Sequence, residues 1–482
     1  MTGGRTLPVV CLALLGSVLA LAQVQLGTGA ISGAVTDPSG QVIPDAVVTI
    51  INADTGMTRT VSTTGAGVFT VPVVPPGTYT VRAEKSGFAT LEQKGVVVSV
   101  GGTATLQLAM KIGAVAAVVE VTAEVAAIDT ARSDESSLVT REQVSELPMN
   151  GRRYDQFALL TPGVTRDGSY GSITYYGISG AFNNFTVEGN DDNSMFWATT
   201  RGYTRLTQTT SANAVQEFQV GRSNFLPEFG RAAGGSINAV LRSGGNRFHA
   251  DGFYFLKNSA LSARDTFASF KPDESRQQFG GSLSGPMQRN KLFFFLNYDQ
   301  QLRDFPLLIQ DTNNSLTANK PALPNNPTAA QQAQYNADLN AWETGIAYIK
   351  SQFPGGAPGN TVPRNFNEWL GTAKVDWLLS RKNTASFTYN YLRHDALNGI
   401  QTAQVLGTLG NNGTDLVITH QVNARLVSVL SPALVNELRF QWARDFDQQL
   451  PDGRAPYVRA NGFGWGTASY LPRWAYPDER KL

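Results

Sequence analysis

The chain has 482 residues and a formal net charge of +1, from 39 basic and 38 acidic side chains. This balance argues against a nucleic-acid-binding protein, because such proteins carry a basic excess on the face that meets phosphate. Charged residues make up 16% of the chain, against about 25% in typical domains. Few charges and many glycines suit a β-rich protein, which either has one face in an apolar medium or is entirely soluble. The length predicts about two to four structural units.

An apolar run near the N-terminus predicts a secretory signal peptide over residues 1–22. The run follows Arg5 and ends in Ala20-Leu21-Ala22, which has the small-x-small pattern of a cleavage site. It is short for a transmembrane helix, which needs about 20 apolar residues. The single cysteine, Cys11, lies inside the run. We therefore expect a mature chain that starts at Gln23 and has neither disulfides nor a cysteine metal site.

Residues 23–112 are predicted to form a small β-sandwich. Turn signals such as Asp37-Pro-Ser-Gly40 and Pro75-Pro-Gly77 separate short runs of β-branched and aromatic residues. Short strands with glycine and proline turns at this spacing are typical of a sandwich. The runs begin at Ile31, Ala46, Gly67, Thr78 and Val96.

The same segment resembles the carboxypeptidase-regulatory-like domain family. The resemblance rests on motifs in chain order, namely Gly33-Ala-Val-Thr-Asp-Pro-Ser-Gly40, Ile43-Pro-Asp-Ala46, Gly65-Ala-Gly-Val-Phe69, Pro76-Gly-Thr-Tyr79 and Ser86-Gly-Phe88. It implies a carbohydrate-binding-like, immunoglobulin-like fold without catalytic groups. Residues 23–112 also contain no histidine, so a zinc peptidase site cannot be built there.

Residues 113–245 are mixed in pattern and are predicted to form a compact α+β domain. Thr140–Leu147 and Asp155–Leu160 have the pattern of short helices. Phe185–Gly189 and Val215–Val220 have the pattern of strands.

Residues 246–482 change to long strands with regular alternation. In residues 384–391 and 437–442, apolar or aromatic side chains alternate with polar ones, and residues 372–377 repeat the pattern. Segments of about 10 residues with one apolar and one polar face are typical of a transmembrane β-barrel. A large soluble β-sandwich is the alternative, since its strands alternate too. Aromatic residues near strand ends favour the barrel, because they form interfacial girdles: Trp369, Trp377, Tyr391 and Trp442.

A long excursion rich in Asn, Pro and Gln, residues 303–365, interrupts these strands. Residues 328–353 within it have apolar positions near helical spacing. Because the long loops of such barrels face the outside of the cell, we expect this excursion to be extracellular.

A succession of motifs in the middle of the chain resembles the Oar-like TonB-dependent receptors, which have a regulatory-like domain, a plug and a barrel. This resemblance implies an outer-membrane location in a Gram-negative cell and uptake that is energised by the inner-membrane TonB complex. The regulatory-like domain would then lie in the periplasm. The motifs are Val118-Val-Glu-Val-Thr-Ala123, Leu147-Pro-Met-Asn-Gly-Arg152, Leu159-Leu-Thr-Pro-Gly-Val164, Phe185-Thr-Val-Glu-Gly-Asn-Asp191, Val215-Gln-Glu-Phe218, Glu228-Phe-Gly-Arg-Ala-Ala-Gly-Gly235, Asn246-Arg-Phe-His-Ala-Asp251, Phe279-Gly-Gly-Ser-Leu-Ser-Gly-Pro286 and Lys291-Leu-Phe-Phe-Phe295.

Two groups of residues are candidates for function under this resemblance. The first is a TonB-box-like segment between the sandwich and the plug, with the alternative that it is only the last strand of the sandwich: Val118, Val119, Glu120, Val121, Thr122 and Ala123. The second is a set of plug motifs, which we interpret as structural first and gating second: Asn150, Gly151, Arg152, Glu188, Gly189 and Asp191.

No enzyme, cofactor or metal chemistry is predicted. The three histidines, His249, His394 and His420, are scattered and form no HExxH pair. The sequence has neither a P-loop nor a GxSxG elbow. Glu188, Asp191 and Asp192 offer oxygen ligands for Ca²⁺, but a solvated plug loop is the simpler interpretation.

The sequence thus predicts a TonB-dependent transporter whose partners are TonB, outer-membrane lipid and an unidentified extracellular ligand of carbohydrate or peptide character. The rival prediction is a non-transporting surface protein, such as an adhesin or a secretion-related barrel. We count about seven strands in residues 246–482, whereas a plugged transporter barrel has about 22. We therefore expect the chain to be a truncated or fragmentary receptor that does not close a barrel by itself.

Overall fold

The structure is a computed structural model. The predicted signal peptide, residues 1–22, lies outside the residues that it describes. Those residues are 27–113, 118–122, 135–147, 149, 152–166, 173–194, 200–201, 209–223, 230–264, 266, 271, 273–308, 320–352, 361–398, 412–431, 434–452, 456, 458–460, 463–465, 467, 472–475 and 478–481.

The N-terminal unit is a sandwich of two β-sheets, as predicted. Its strands are β1 (Gly29–Thr36), β2 (Val47–Asn52), β3 (Thr58–Ser62), β4 (Val68–Val74), β5 (Gly77–Glu84), β6 (Thr90–Val98), β7 (Thr103–Ala109) and β8 (Val118–Thr122). One sheet has the order β4-β1-β7 and the other has the order β3-β2-β5-β6-β8. The two inner faces bury one apolar core, which includes Ile31, Ile50 and Tyr79.

Each of the five predicted runs overlaps a strand, but β3 and β7 were missed. Strand β3 is mostly polar, and its buried position is Arg59, which donates hydrogen bonds to the carbonyl groups of Pro72 and Val73. Such a strand shows no apolar alternation in the sequence. Strand β7 does show it, because Leu106 and Leu108 are buried between exposed neighbours.

Gly33 on β1 lies where a side chain has no room. A Cβ atom there would lie 2.3 Å from the carbonyl oxygen of Leu106 on β7. Because that backbone cannot yield without moving its strand, we expect Gly33→Ala to lower the free energy of unfolding of the sandwich by about 1–3 kcal/mol. Hydrogen exchange of the β1 and β7 amides measures the loss. Gly65→Ala is the matched control, since a Cβ there meets nothing within 4 Å, and an equal loss in both variants would contradict the prediction.

A smaller α+β unit follows the sandwich. Its strands are β9 (Glu135–Val139), β10 (Val164–Arg166), β11 (Ile173–Tyr175), β12 (Asn184–Val187), β13 (Asn190–Asp191), β14 (Val215–Ser223) and β15 (Ser236–Leu241). Five of them form a sheet in the order β13-β12-β15-β14-β9. Its α-helix is α1 (Arg141–Glu146), whose N-terminus is closed by a capping box between Thr140 and Gln143. The second predicted helix is a 3₁₀ helix, Tyr154–Leu160.

The rest of the described chain forms a large antiparallel sheet. Its elements are β16 (His249–Asn258), β17 (Ser275–Gln288), β18 (Leu292–Asp304), β19 (Leu307–Leu308), α2 (Ala329–Gln352), β20 (Thr361–Val362), β21 (Asn365–Leu378), β22 (Asn383–Leu397), β23 (Gly413–Ser431), β24 (Leu434–Pro451), β25 (Val458–Ala460), β26 (Phe463–Trp465), β27 (Arg473–Ala475) and β28 (Asp478–Lys481). Seven long strands pair in the order β16-β17-β18-β21-β22-β23-β24, and β27 and β28 pair with β24. In the described residues this sheet is not closed into a barrel.

The alternation of this sheet confirms the predicted apolar and polar faces. Phe387 is 47% exposed and Leu438 is 56% exposed, whereas Thr388 and Gln441 are almost fully buried. The apolar side chains lie on the outer face, and the polar side chains point to the concave side, against the α+β unit. Phe295 of β18 joins the apolar core of that unit. The α+β unit therefore occupies the position of a plug against the inner wall.

The two ends of the sheet differ. Long connections, such as residues 305–364, which contain α2, lie at one end, and the short turn 289–291 lies at the other. The sandwich lies at the short-turn end, where the backbone N–H of Asn246 donates to the carbonyl oxygen of Asp54 at 2.7 Å. Leu378 of β21 packs against the sandwich core there. Among the described residues, no helix is long and apolar enough to span a membrane.

Candidate functional site at the plug–barrel contact

The turn between β12 and β13 carries the Glu188-Gly189 motif and fastens the plug to the sheet. Both residues have positive φ, 55° and 73°, which an ordinary side chain rarely adopts. The carboxylate of Glu188 accepts a hydrogen bond from the backbone N–H of Leu241 at 2.7 Å and pairs with Lys374 of β21 at 2.8 Å. The side chains of Glu188 and Lys374 are only 7% and 5% exposed. An ion pair withdrawn from water in this way is strong only while both partners are present.

The backbone of the same hairpin is held by strand β24 and its neighbour. Arg439 donates to the carbonyl oxygen of Gly189 at 2.7 Å. Gln441 and Gln421 donate to the carbonyl oxygen of Asp191 at 2.6 and 3.3 Å. Three residues of one motif, Glu188, Gly189 and Asp191, are thus bound by side chains from β21, β23 and β24.

The acidic side chains of this hairpin are not gathered around a common point. The carboxylate of Asp191 pairs with Arg231 at 3.1 Å, and that of Asp192 accepts from Thr209 at 2.7 Å. Glu188 instead turns to Lys374. Among the described residues, no group of three or more His, Cys, Asp or Glu is arranged to hold a metal ion.

Asp192 is fully buried beside a second plug–sheet ion pair. Arg201, which is also fully buried, pairs with Asp445 of β24 at 2.9 Å. Within the part of the chain that the structure describes, Oδ1 of Asp192 has no hydrogen-bond partner. Burial raises the pKa of Asp192 from 3.8 to about 7, although the hydrogen bond from Thr209 and the charge of Arg201 oppose this shift. A proton on Asp192 therefore fits the folded plug better than a charge does.

A further group of contacts joins the plug to β16, β17 and β18. Ser211 donates to Asp299 at 2.6 Å, and Asn213 donates to Asp251 at 2.8 Å. Arg242 pairs with Asp251 at 2.7 Å. Asp251 ends one of the motifs that indicate the receptor family, but neither it nor Asp299 was predicted to contact the plug. Their alternation with outward-facing apolar residues was the available signal, but it does not show which of them meet the plug.

The other predicted plug motif is described only in part. Asn150 and Gly151 lie outside the described residues. Arg152 has a φ of 47°, and its guanidinium carbon lies 4.0 Å from the ring centre of Phe255 on β16. This is a cation–π contact between the plug and β16, the first strand of the sheet. The Glu188 turn contacts later strands, β21 and β24.

The TonB-box-like segment Val118–Thr122 forms strand β8, whereas Ala123 lies outside the described residues. β8 pairs in parallel with β6 and forms one edge of the five-stranded sheet. The segment is thus a strand of the sandwich sheet, and one of its two hydrogen-bonding sides has no strand beside it in the described chain.

A cavity of about 610 Å³ lies where the sandwich, the plug and the sheet meet. Charged side chains from all three units line it, including Arg59 of the sandwich, Arg242 of the plug and Lys374, Asp376 and Arg425 of the sheet. The sandwich is therefore separated from part of the inner wall by a space that charged side chains line in part.

Comparison with known families defines the class of the protein. Residues 30–111 match the carboxypeptidase regulatory-like domain, and residues 240–477 match the outer membrane beta barrel domain. The chain is therefore an outer-membrane protein with a regulatory-like domain at its N-terminal end.

A curated relative narrows this class. The chain is 28% identical to the TonB-dependent transporter Oar of Myxococcus xanthus over 285 residues. The matched region covers 56% of this chain and 26% of that protein. The chain is homologous to the Oar-like TonB-dependent receptors, as the sequence motifs indicated. It spans about a quarter of the length of this relative.

Solved structures to which the chain is similar include two receptors. The siderophore receptor PirA of Acinetobacter baumannii is 15% identical with a TM-score of 0.47, over 74% of this chain and 45% of that chain. A mutant of the ferric enterobactin receptor PfeA of Pseudomonas aeruginosa is 13% identical with a TM-score of 0.46, over 72% of this chain and 46% of that chain.

Proposed function

We propose that the protein is a TonB-dependent transporter in which the plug blocks the lumen of the barrel until it is pulled. The polar plug–barrel contact carries this proposal. The Glu188–Asp192 hairpin is held by an ion pair and by hydrogen bonds to carbonyl groups. Such bonds can be exchanged for bonds to water at a net cost of about 0.5–1.5 kcal/mol each. A contact of this kind can open and close again.

We further propose that β8 is the segment that TonB binds. A strand at the edge of a sheet presents free N–H and C=O groups, to which a partner strand can add. β8 has this position, beyond β6 in the five-stranded sheet. TonB can therefore extend the sheet of the sandwich without first removing β8 from it.

The ligand is proposed to enter from the end of the barrel that carries the long connections. Its character as a carbohydrate or a peptide rests on the fold of the sandwich, which is an analogy. Accumulation of radiolabelled oligosaccharides and oligopeptides in cells with and without TonB separates a transporter from the rival, a non-transporting adhesin or secretion-related barrel. Equal accumulation of every compound in both strains would favour the rival.

Paired proline substitutions in β8 test the assignment of TonB binding. Neighbouring residues of a strand point their N–H groups to opposite sides, and proline removes this group. One of Glu120→Pro and Val121→Pro therefore damages the ladder to β6, and the other damages the free edge. We expect the free-edge variant to reduce the affinity for the purified periplasmic domain of TonB at least tenfold, with the sandwich still folded by circular dichroism.

Two results would contradict this assignment. One is unchanged TonB affinity in both proline variants. The other is a loss of affinity only in the variant whose sandwich unfolds, because β8 would then be merely the last strand of the sandwich.

A further inference from the structure

The turn that follows β6 in the sandwich is hydrogen-bonded to one strand of the plug, β14. In this turn the backbone N–H of Val100 donates to the carboxylate of Glu217 on β14. Val100 is fully buried and Glu217 is 8% exposed. A Cβ atom on the next residue, Gly101, would lie 2.4 Å from Oε1 of Gln219. The turn thus lies directly against side chains of β14.

The same turn directly follows β6, the strand that pairs with β8. The parallel register runs from Thr90 opposite Val118 to Lys94 opposite Thr122. β6 then extends to Val98, two residues before Val100. A force applied to β8 therefore passes across one hydrogen-bonded ladder to β6, and along β6 into the turn that Glu217 holds.

The sandwich also contacts the barrel, where Leu378 packs against its core. Its contact there includes the Asp54 carbonyl oxygen, which accepts from Asn246, and Asn246 is fixed by exposed side-chain bonds to Asn290. A hydrogen bond to a buried carboxylate is stronger than bonds between exposed amides. A pull on the sandwich should thus be resisted more strongly by the Val100–Glu217 bond than by these exposed amide bonds.

A second route from β8 to the plug is the covalent one. Twelve residues, 123–134, connect β8 to β9, and β9 pairs with β14. A stretch of 12 residues spans up to about 40 Å when it is fully extended. Unless it is already extended, this connection transmits force only after the sandwich has moved, whereas the Val100–Glu217 bond transmits it at once.

We propose that the sandwich transmits force to the plug, and that Glu217 is the positioning residue through which a pull on β8 first reaches strand β14. The source of the pull is the TonB binding proposed above, on which this inference rests. The sandwich would then be a mechanical part of the transporter and would move together with the plug.

Single-molecule pulling tests the proposal without a ligand. The whole chain, with Cys11→Ser, is folded in detergent, fixed to a surface through its C-terminus and pulled through a thiol handle at Thr122→Cys on β8. We expect the plug of this reference protein to detach at a short extension. In Glu217→Ala the first detachment should shift to a longer extension, by up to about 40 Å. Glu217→Gln should behave as the reference, because its amide oxygen still accepts from Val100.

Two controls separate force transmission from simple weakening of the plug. A handle at Ser137→Cys on β9 pulls the plug directly, and there Glu217→Ala should cause no shift. Asn290→Ala, which removes a side-chain hydrogen bond that positions Asn246 beside Asp54, should leave the result at the β8 handle unchanged. Equal extensions for the reference and Glu217→Ala at the β8 handle would overturn the proposal, and so would a shift at both handles.

The result of this experiment does not depend on whether the protein binds TonB. The handle is covalent, so a protein that does not bind TonB still reports whether β8 is coupled to β14. Failure of TonB binding with normal coupling would remove only the source of the pull. Normal TonB binding without coupling would overturn only the role of Glu217.

Discussion

Replacing Lys374 by methionine is expected to loosen the plug from the barrel wall, with a loss of about 3–5 kcal/mol in the stability of the seated plug. The substitution leaves the carboxylate of Glu188 buried, with the N–H of Leu241 as a remaining partner. A buried charge without its counter-ion costs far more than the ion pair contributes, because the desolvation is no longer compensated. Faster hydrogen exchange of the β12 and β15 amides would measure the effect.

Two further variants make this result interpretable. Glu188→Gln combined with Lys374→Met removes both charges and should recover most of the loss. Lys257→Met is the matched control, because Lys257 pairs with Glu274 at the same distance of 2.8 Å but is 45% exposed. Exposed pairs contribute about 0–1 kcal/mol. If Lys374→Met were no more harmful than Lys257→Met, the ion pair with Glu188 would not hold the plug.

Asp192→Asn is expected to stabilise the plug at alkaline pH and to remove a pH dependence. Burial raises the pKa of Asp192 from 3.8 to about 7. Between about pH 4 and pH 7 the folded plug therefore holds a proton that the unfolded chain has lost, so the contribution of Asp192 to stability falls as the pH rises through this window. Above pH 7 the full shift of about three pKa units corresponds to about 4 kcal/mol.

The measurement is the difference in stability between Asp192→Asn and the unaltered protein across pH 4 to 9. This difference should grow in favour of the variant from pH 4 to pH 7 and then stay constant. Asp37→Asn is the control, since Asp37 is exposed in the sandwich and the hydrogen bond from Ser39 lowers its pKa. A difference that does not change with pH would show that Asp192 remains charged in the folded plug.

Much of the fold follows from local patterns in the sequence. Alternation with a period of two predicted the long strands and their outer and inner faces, as Phe387 and Thr388 illustrate. The pattern of residues Thr140–Leu147 predicted the short helix α1. These features depend on neighbours in the chain, and the chemistry of each residue is sufficient to specify them. The motif order likewise indicated the receptor family, and the similarity of the chain to Oar agrees with this assignment.

The candidate site was predictable only on one side. The sequence singled out Glu188, Gly189 and Asp191, but not the groups that bind them. Lys374 is 186 residues away from Glu188, and Asp445 is 244 residues away from Arg201. Alternation shows that Lys374 faces inward, yet every inward residue of the sheet has the same signal.

Only the tertiary structure decides which inward residue meets the plug, because that depends on the register of seven paired strands and on the seating of a separate unit. The contact between Val100 and Glu217, 117 residues apart, is of the same kind. The sequence by itself thus determined the sandwich, the plug, the barrel strands and their faces. The joints between these units were decided by packing, since burial makes a polar group energetically important only when its partner is in place.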